Sequence, residues 1–202
     1  NIAIPSFIAA MFTAYGLHLV FKIQATLHAT SALATEVAQG GLELLLSTPL
    51  TPAQIVLGHR DAVENVLRRP RATLTMVNLG LAASVLNPRL HIGGREAPAF
   101  LALFVGGLLL LWVDTYAIVR MGPWWALKTP NAGRAMFRTL LISSLPTLVG
   151  ALLIFLVIAS AGGGDPTWVF VSFELLLAVL AGICGQHAAT RTSLNFRRLA
   201  SG

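Results

Sequence analysis

The chain has 202 residues, of which 55% are apolar and only 11% charged, with 14 Lys and Arg against 8 Asp and Glu and a formal charge of +6. A soluble domain carries about 25% charged residues, so this composition, with a mean hydropathy of +0.75, leaves too little charge for a water-facing surface. By that count a soluble enzyme and a disordered tail are excluded, and the chain reads as an all-α integral membrane protein, a single transmembrane domain over residues 1–202.

A pI near 10.7 would suggest nucleic acid as a partner of a soluble chain. Here the basic residues gather at the ends of apolar runs, where they orient a protein in a bilayer, so no nucleic-acid partner is expected. Cys184 is the single cysteine, which excludes an intrachain disulfide and a zinc site built on paired cysteines. The chain opens on Asn1 with no basic segment or cleavage site of a signal peptide. The expectation is a piece of a larger protein.

Five stretches are long or apolar enough to be predicted as spans: 2–21, 72–86, 97–119, 139–161 and 167–185. The second is short and carries Asn78, and charge counting decides it. With five crossings, every Lys and Arg except Arg89 and Arg95 falls on one side; without the second crossing the charges divide evenly. The positive-inside rule selects the first arrangement, with the C-terminus cytoplasmic. The outer connections are short, with turn signals at Asn87-Pro88, at Gly93-Gly94 and in the run Gly162-Gly163-Gly164-Asp165-Pro166.

Residues 22–71 form the one substantial region predicted outside the membrane. Residues 22–39 hold no helix breaker and are expected to prolong the first span, with Gly40-Gly41 permitting a bend. Leu42-Glu43-Leu44-Leu45-Leu46, closed by Ser47-Thr48-Pro49, is too short to span and too apolar to stand in water, so it must rest on a surface or a partner. Thr51, Pro52 and Gln54 carry the start signals of a further helix: an N-cap, a first-turn proline and a capping box. That helix is predicted to end near Leu67, before Arg68-Arg69-Pro70-Arg71. Its face of Ile55, Val56, Val63 and Val66 suggests an amphipathic helix lying along the headgroups.

At these residues the chain resembles the ABC-2 type permeases, the membrane subunits of ATP-driven exporters. Their signature reads roughly Glu-Arg-x-x-Gly-Thr-Leu-Glu-Leu-Leu-Leu-x-Thr-Pro-Leu, then a polar spacer, Ile and Gly-Lys. Glu36, Gly40, Leu42 to Pro49, Ile55 and Gly58 match it. Val37 stands where a basic residue is usual, Gly41 where Thr is, and His59 where the final Lys is. In the family this motif follows the second of six spans, so the chain looks like such a permease lacking its first.

The resemblance implies that Glu36, Gly40, Gly41, Leu42, Glu43, Leu44, Leu45, Leu46, Thr48, Pro49 and Leu50 form a coupling element that docks on a separate ATPase subunit. It also implies a second permease subunit as partner, a bacterial cytoplasmic (inner) membrane location, and ATP with Mg²⁺ bound on the ATPase. No cofactor is expected in this chain, which has no Gly-x-x-x-x-Gly-Lys-Ser/Thr phosphate loop. No His-Glu-x-x-His or Gly-x-Ser-x-Gly pattern occurs either, so enzymatic and metal chemistry are not expected.

Glu174 and Asp114 lie inside predicted spans, where a carboxylate costs about 2.5–3.5 kcal/mol on insertion scales. Each is a candidate for a translocation path or a helix seam. Asp114, six residues before Arg120, is expected at the interface. Trp124 and Trp125, in a predicted loop over 121–138, suit headgroup anchors. Ala178-x-x-x-Gly182 and Ala181-x-x-x-Gly185 suggest close helix packing. The rival readings are a proton-coupled carrier using Glu174, a lipid-modifying enzyme and a non-transporting membrane scaffold.

Overall fold

The computed structural model describes residues 3–41, 44, 47–87, 97–129, 131–160 and 167–200, without the side chains of 3–8, 11, 99, 146–148, 150–160, 167–170, 172–174, 193 and 197–200. The chain is all-α: no strand occurs among the described residues. Among the described residues five long helices run in order, α1 (Ala3–Ala38), α2 (Pro52–Val85), α3 (Ala97–Lys128), α4 (Ala132–Ser160) and α5 (Thr167–Ala200). The predicted turns at Pro88, Gly93-Gly94 and Gly162 to Pro166 lie outside the described residues.

α1 and α2 form an antiparallel hairpin. Near its closed end Leu33 and Ala34 pack with Val56. Further along, His59 meets the Ala29 carbonyl, and towards the open end His18 meets Asn78. Thr51 caps α2 as its sequence predicts: the Gln54 amide donates to Thr51 Oγ1, and the Thr51 amide donates to Gln54 Oε1. This pairing satisfies donors that the first turn of a helix leaves open.

α3 is the central helix and packs against all four others, most extensively against α5. Leu111, Ile118 and Val119 close one core with Phe21, Ala25 and Ala29 of α1 and with Val63, Leu67 and Leu74 of α2. Two glycines set how near the helices come. A Cβ on Gly122 would lie 2.6 Å from Ala29 Cβ and 2.8 Å from the Ala29 carbonyl oxygen, and one on Gly185 would lie 3.0 Å from Ala117 Cα. Gly185 therefore serves the α3–α5 seam that its spacing suggested. Gly182, one turn earlier, faces open space.

The structure corrects four expectations. α2 does not stop near Leu67 but runs through Pro70 to Val85. Proline removes one backbone donor, yet Leu67 and Leu74 on either side of it are both buried in the α1–α3 core and hold the helix together. The predicted apolar face is also shifted. Val66 is exposed and Leu67 is buried, because the stripe Val56, Val63, Leu67, Leu74 keeps a seven- and four-residue spacing that leaves Val66 one step, about 100°, off it.

The third correction concerns placement: α2 stands against α1 and α3 instead of lying apart as a surface helix. Fourth, the loop predicted over 121–138 is almost wholly helical. α3 continues through Pro123 to Lys128, and α4 begins at Ala132. Trp124 and Trp125 pack beside Ala117, Met121 and Ala188, with Lys128 and Arg138 near the Trp125 ring.

Many large apolar side chains lie on the outside of the bundle, while several polar ones are buried beside its apolar cores. Met76 is 70% exposed and Phe12 69%, with Leu86, Leu109, Leu145 and Ile183 also outside. Asn78 and Asp114 are 2% exposed, and Thr26, Thr30, Thr139 and Thr192 are fully buried. Each of these threonines returns its hydroxyl to the carbonyl four residues earlier, which removes the penalty of a buried hydroxyl without a partner. By length and composition, Phe100–Lys128 is the stretch among the described residues apolar enough to cross a membrane.

The glycine contacts yield a stability test. Gly122→Leu, which drives a side chain into the Ala29 backbone, is expected to destabilise the protein by about 1–3 kcal/mol. Gly58→Ala, in open space on α2, is expected to be neutral or to stabilise by up to about 1 kcal/mol. Thermal unfolding of the two purified variants beside the parent protein checks both signs.

Candidate functional site

Two places concentrate the residues singled out in the sequence: the closed tip of the α1–α2 hairpin and a buried ion pair between α1 and α3. At the tip, the Gln39 amide donates to the Thr35 carbonyl at 3.0 Å and the Gly40 amide to the Val37 carbonyl at 3.3 Å. Gly40 then adopts φ +72°, a left-handed conformation that glycine takes without a Cβ clash. Gly41 follows against Glu36, and a Cβ there would run into the Glu36 carboxylate. Gly41 is thus the residue that lets Glu36 fold back over the turn.

Leu44 is 73% exposed and Leu50 is also exposed, while Ser47 Oγ donates to the Leu44 carbonyl at 2.7 Å. Leu42, Glu43, Leu45 and Leu46 lie outside the described residues. The inner side of the tip is a groove of about 620 Å³ between Leu33 and Glu36 on α1, Leu44 and Leu50 in the connection, and Ile55 and His59 on α2. Glu36, Gly41, Leu44, Thr48 and Leu50 are therefore gathered around one cavity.

His59 closes that groove. Its Nε2 donates to the Ala29 carbonyl at 3.1 Å. Burial pushes its pKa below the ordinary value and Arg60 adds to this, while the bond to Ala29 acts in the opposite direction. The imidazole is thus turned inward and ties α2 to α1.

The second place lies about 21 Å down α1 from Glu36, at 1.5 Å per residue. Lys22 Nζ and Asp114 Oδ2 are 2.5 Å apart, with both side chains largely buried. Beside them Asn78 Nδ2 donates to His18 Nε2 at 2.8 Å and to the Leu74 carbonyl at 2.8 Å. A cavity of about 230 Å³ adjoins the pair, with Tyr15, His18 and Ser144 on its wall. Ser144 Oγ is buried and finds no partner among the described residues.

Asp114 is 2% exposed and sits between α1 and α3. Its partner is Lys22, which had been read as a boundary cation ending the first span, and Arg120 goes elsewhere, onto Tyr116 and Gln186. The pairing had a signal in the sequence. The first and third predicted spans run in the same direction, so Lys22 at the end of one lies level with Asp114 near the end of the other. Glu174 lies on α5, with its side chain outside the described residues. His18 and Asn78 were not singled out as a pair, because nothing local links positions 60 residues apart.

Chemically, the tip offers an apolar knob on a fixed reversal, and the ion pair offers a polar clamp between two helices. Among the described residues no cluster of His, Cys, Asp or Glu could hold a metal ion. No protein-family model matches the chain, nor does any curated protein or solved structure.

Removing one member of the ion pair leaves the other charge buried without its counterion. Lys22→Met is expected to cost about 3–5 kcal/mol, and adding Asp114→Leu to recover most of that loss; a denaturant series on the two variants reads this. His59 gives a pH signature. The unfolded chain takes up a proton near pH 6.5 and the folded imidazole only at lower pH. Its contribution to stability is therefore present above 6.5 and falls away as the pH drops below that value. His59→Gln, which retains a donor, is expected to flatten the dependence, seen as a smaller change in Tm between pH 7.5 and 5.5.

Proposed function

We propose that the chain is the membrane subunit of an ATP-driven exporter, a polytopic bundle whose hairpin tip docks on a separate ATPase subunit. The observation that carries this reading is the tip itself. The residues that resemble the permease signature stand at the closed end of two long helices, and Leu44 is exposed there on a glycine-built reversal. An exposed leucine gains about 1.5–3 kcal/mol on complete burial in a partner, so Leu44 and Leu50 offer a useful share of a docking energy.

The membrane part of the reading is supported by the exposed large apolar side chains and by helix length. α1 has 36 residues, about 54 Å at 1.5 Å per residue, against a hydrocarbon core of about 30 Å. Its last turns then stand clear of the bilayer on the cytoplasmic side and carry the tip. In this mechanism closure of the ATPases pushes on 36–50. The hairpin, tied by His59 to Ala29 and by Asn78 to His18, moves as a rod. The Lys22–Asp114 clamp transfers the motion to α3 and so to the path between the spans. The substrate leaves when the spans switch from inward-open to outward-open.

The test is a mild-detergent pull-down of the full-length protein from its native host, with Leu44→Asp/Leu45→Asp alongside. A Walker-motif ATPase is expected with the parent protein and absent with the double variant, while both proteins remain in the membrane fraction. Intact parent protein that brings down no ATPase, or a double variant that transports normally, overturns the proposal.

A further inference from the structure

Between α1, α3 and α4, beside the Lys22–Asp114 pair, lies the cavity of about 230 Å³. Leucines of α1 and α3 form part of its wall, but five polar residues line it as well: Tyr15, His18 and Lys22 from α1, Asp114 from α3 and Ser144 from α4. The volume is enough for several waters at about 30 Å³ each. A purely apolar cavity stays dry, whereas one with several hydrogen-bonding partners holds water.

These polar groups cancel in charge but not in hydrogen-bonding capacity. Lys22 and Asp114 neutralise each other. His18 Nε2 accepts from Asn78 Nδ2 at 2.8 Å, which places the ring proton on Nδ1 and leaves the imidazole neutral. Ser144 Oγ is buried, and no described residue offers it a partner. The set thus holds an imidazole donor, a serine hydroxyl that can both donate and accept, and a carboxylate, with a formal charge that sums to zero.

Depth along the spans sets which side the cavity serves. Ser144 lies five residues past the start of the span predicted over 139–161, about 8 Å from its cytoplasmic end at 1.5 Å per residue. Lys22 and Asp114 lie within five residues of the cytoplasmic ends of theirs. We infer that this cavity is a water-filled binding site on the cytoplasmic side of the spans, which takes a small hydroxylated group that carries no net charge. A net charge there would add an uncompensated ion at membrane depth, while a hydroxyl matches both the donors and the acceptors present. In the proposed exporter the site receives the uncharged polar part of the cargo, beside the clamp that joins α1 to α3, before the spans switch.

The inference rests on the membrane part of the proposed function, and cysteine accessibility separates the two. The single cysteine is exposed and is first removed by Cys184→Ser. Ser144→Cys, or Gly107→Cys on α3, then places one thiol at the cavity. A Cβ on Gly107 keeps ordinary contact distances, 3.7 Å from Tyr15 Oη and 3.8 Å from His18 Cε1. Leu145→Cys lies at the depth of Ser144 but on the exposed face of α4, and Val149→Cys lies a turn deeper on that face. The thiolate is the reactive form, so a thiol in contact with water reacts with a methanethiosulfonate and one facing acyl chains does not.

In inside-out membrane vesicles, the uncharged hydroxyethyl methanethiosulfonate is expected to modify Ser144→Cys and Gly107→Cys about tenfold or more faster than Leu145→Cys. The anionic sulfonatoethyl reagent, with each rate scaled to that of a free thiol in solution, is expected to be slower at the cavity by roughly a hundredfold. Reporters on two helices guard against a variant that fails to fold. Modification of Val149→Cys at the rate of a free thiol removes the membrane reading, and the inference falls with it. With Val149→Cys protected, three results overturn the inference alone: no reaction at either reporter, equal rates at Ser144→Cys and Leu145→Cys, or equal scaled rates for the two reagents.

Discussion

The Lys22–Asp114 ion pair is the constraint on which the rest of the bundle depends. Two opposite charges are held together at 2.5 Å in the interior of the bundle, where both side chains are largely buried. Separating them would leave each buried without its counterion. The pair therefore fixes the register of α1 on α3 to within one residue. The close approach of Gly122 to Ala29 follows from that register, because the two contacts lie on the same pair of parallel helices, seven residues apart on α1 and eight on α3.

Once α1 and α3 are in register, α2 has one place to go. Its stripe of Val56, Val63, Leu67 and Leu74 meets Leu111, Ile118 and Val119 on one side and Phe21, Ala25 and Ala29 on the other. This three-helix core carries α2 across Pro70, where the local signals alone call for a break. Asn78 adds a polar contact to His18 further along, so the hairpin is held at more than one level. A reversal built on Gly40 and the capping box at Thr51 can then present a short apolar tip without splaying the helices behind it.

Polarity is arranged to suit that core. The buried threonines satisfy themselves by bonding back along their own helices, so they fill the small spaces that close packing requires without asking anything of their neighbours. The groups that do need a neighbour are few. His59, Asn78, Lys22 and Asp114 find theirs across helix boundaries, whereas Arg60 Nε and Nη2 and Ser144 Oγ find none among the described residues. The tip and the ion pair accordingly belong to the same α1–α2–α3 unit, and the proposed movement of the tip would be felt at the pair.

The sequence by itself determined the all-α class, the five helical stretches, the reversal at Gly40-Gly41, the capped start of α2 and the permease-like motif at its tip. These are local properties: apolar runs, a glycine free to take positive φ, a Thr-Pro-x-Gln start. The structure alone decided that α2 passes through Pro70, that Leu67 and not Val66 faces inward, that α3 continues through Trp124 and Trp125, and that Asp114 pairs with Lys22. Each of these is a contest between a local preference and a contact with residues far away in the chain. A proline or a charge states only its local cost, and that cost is offset by side chains whose proximity exists only after the helices have packed.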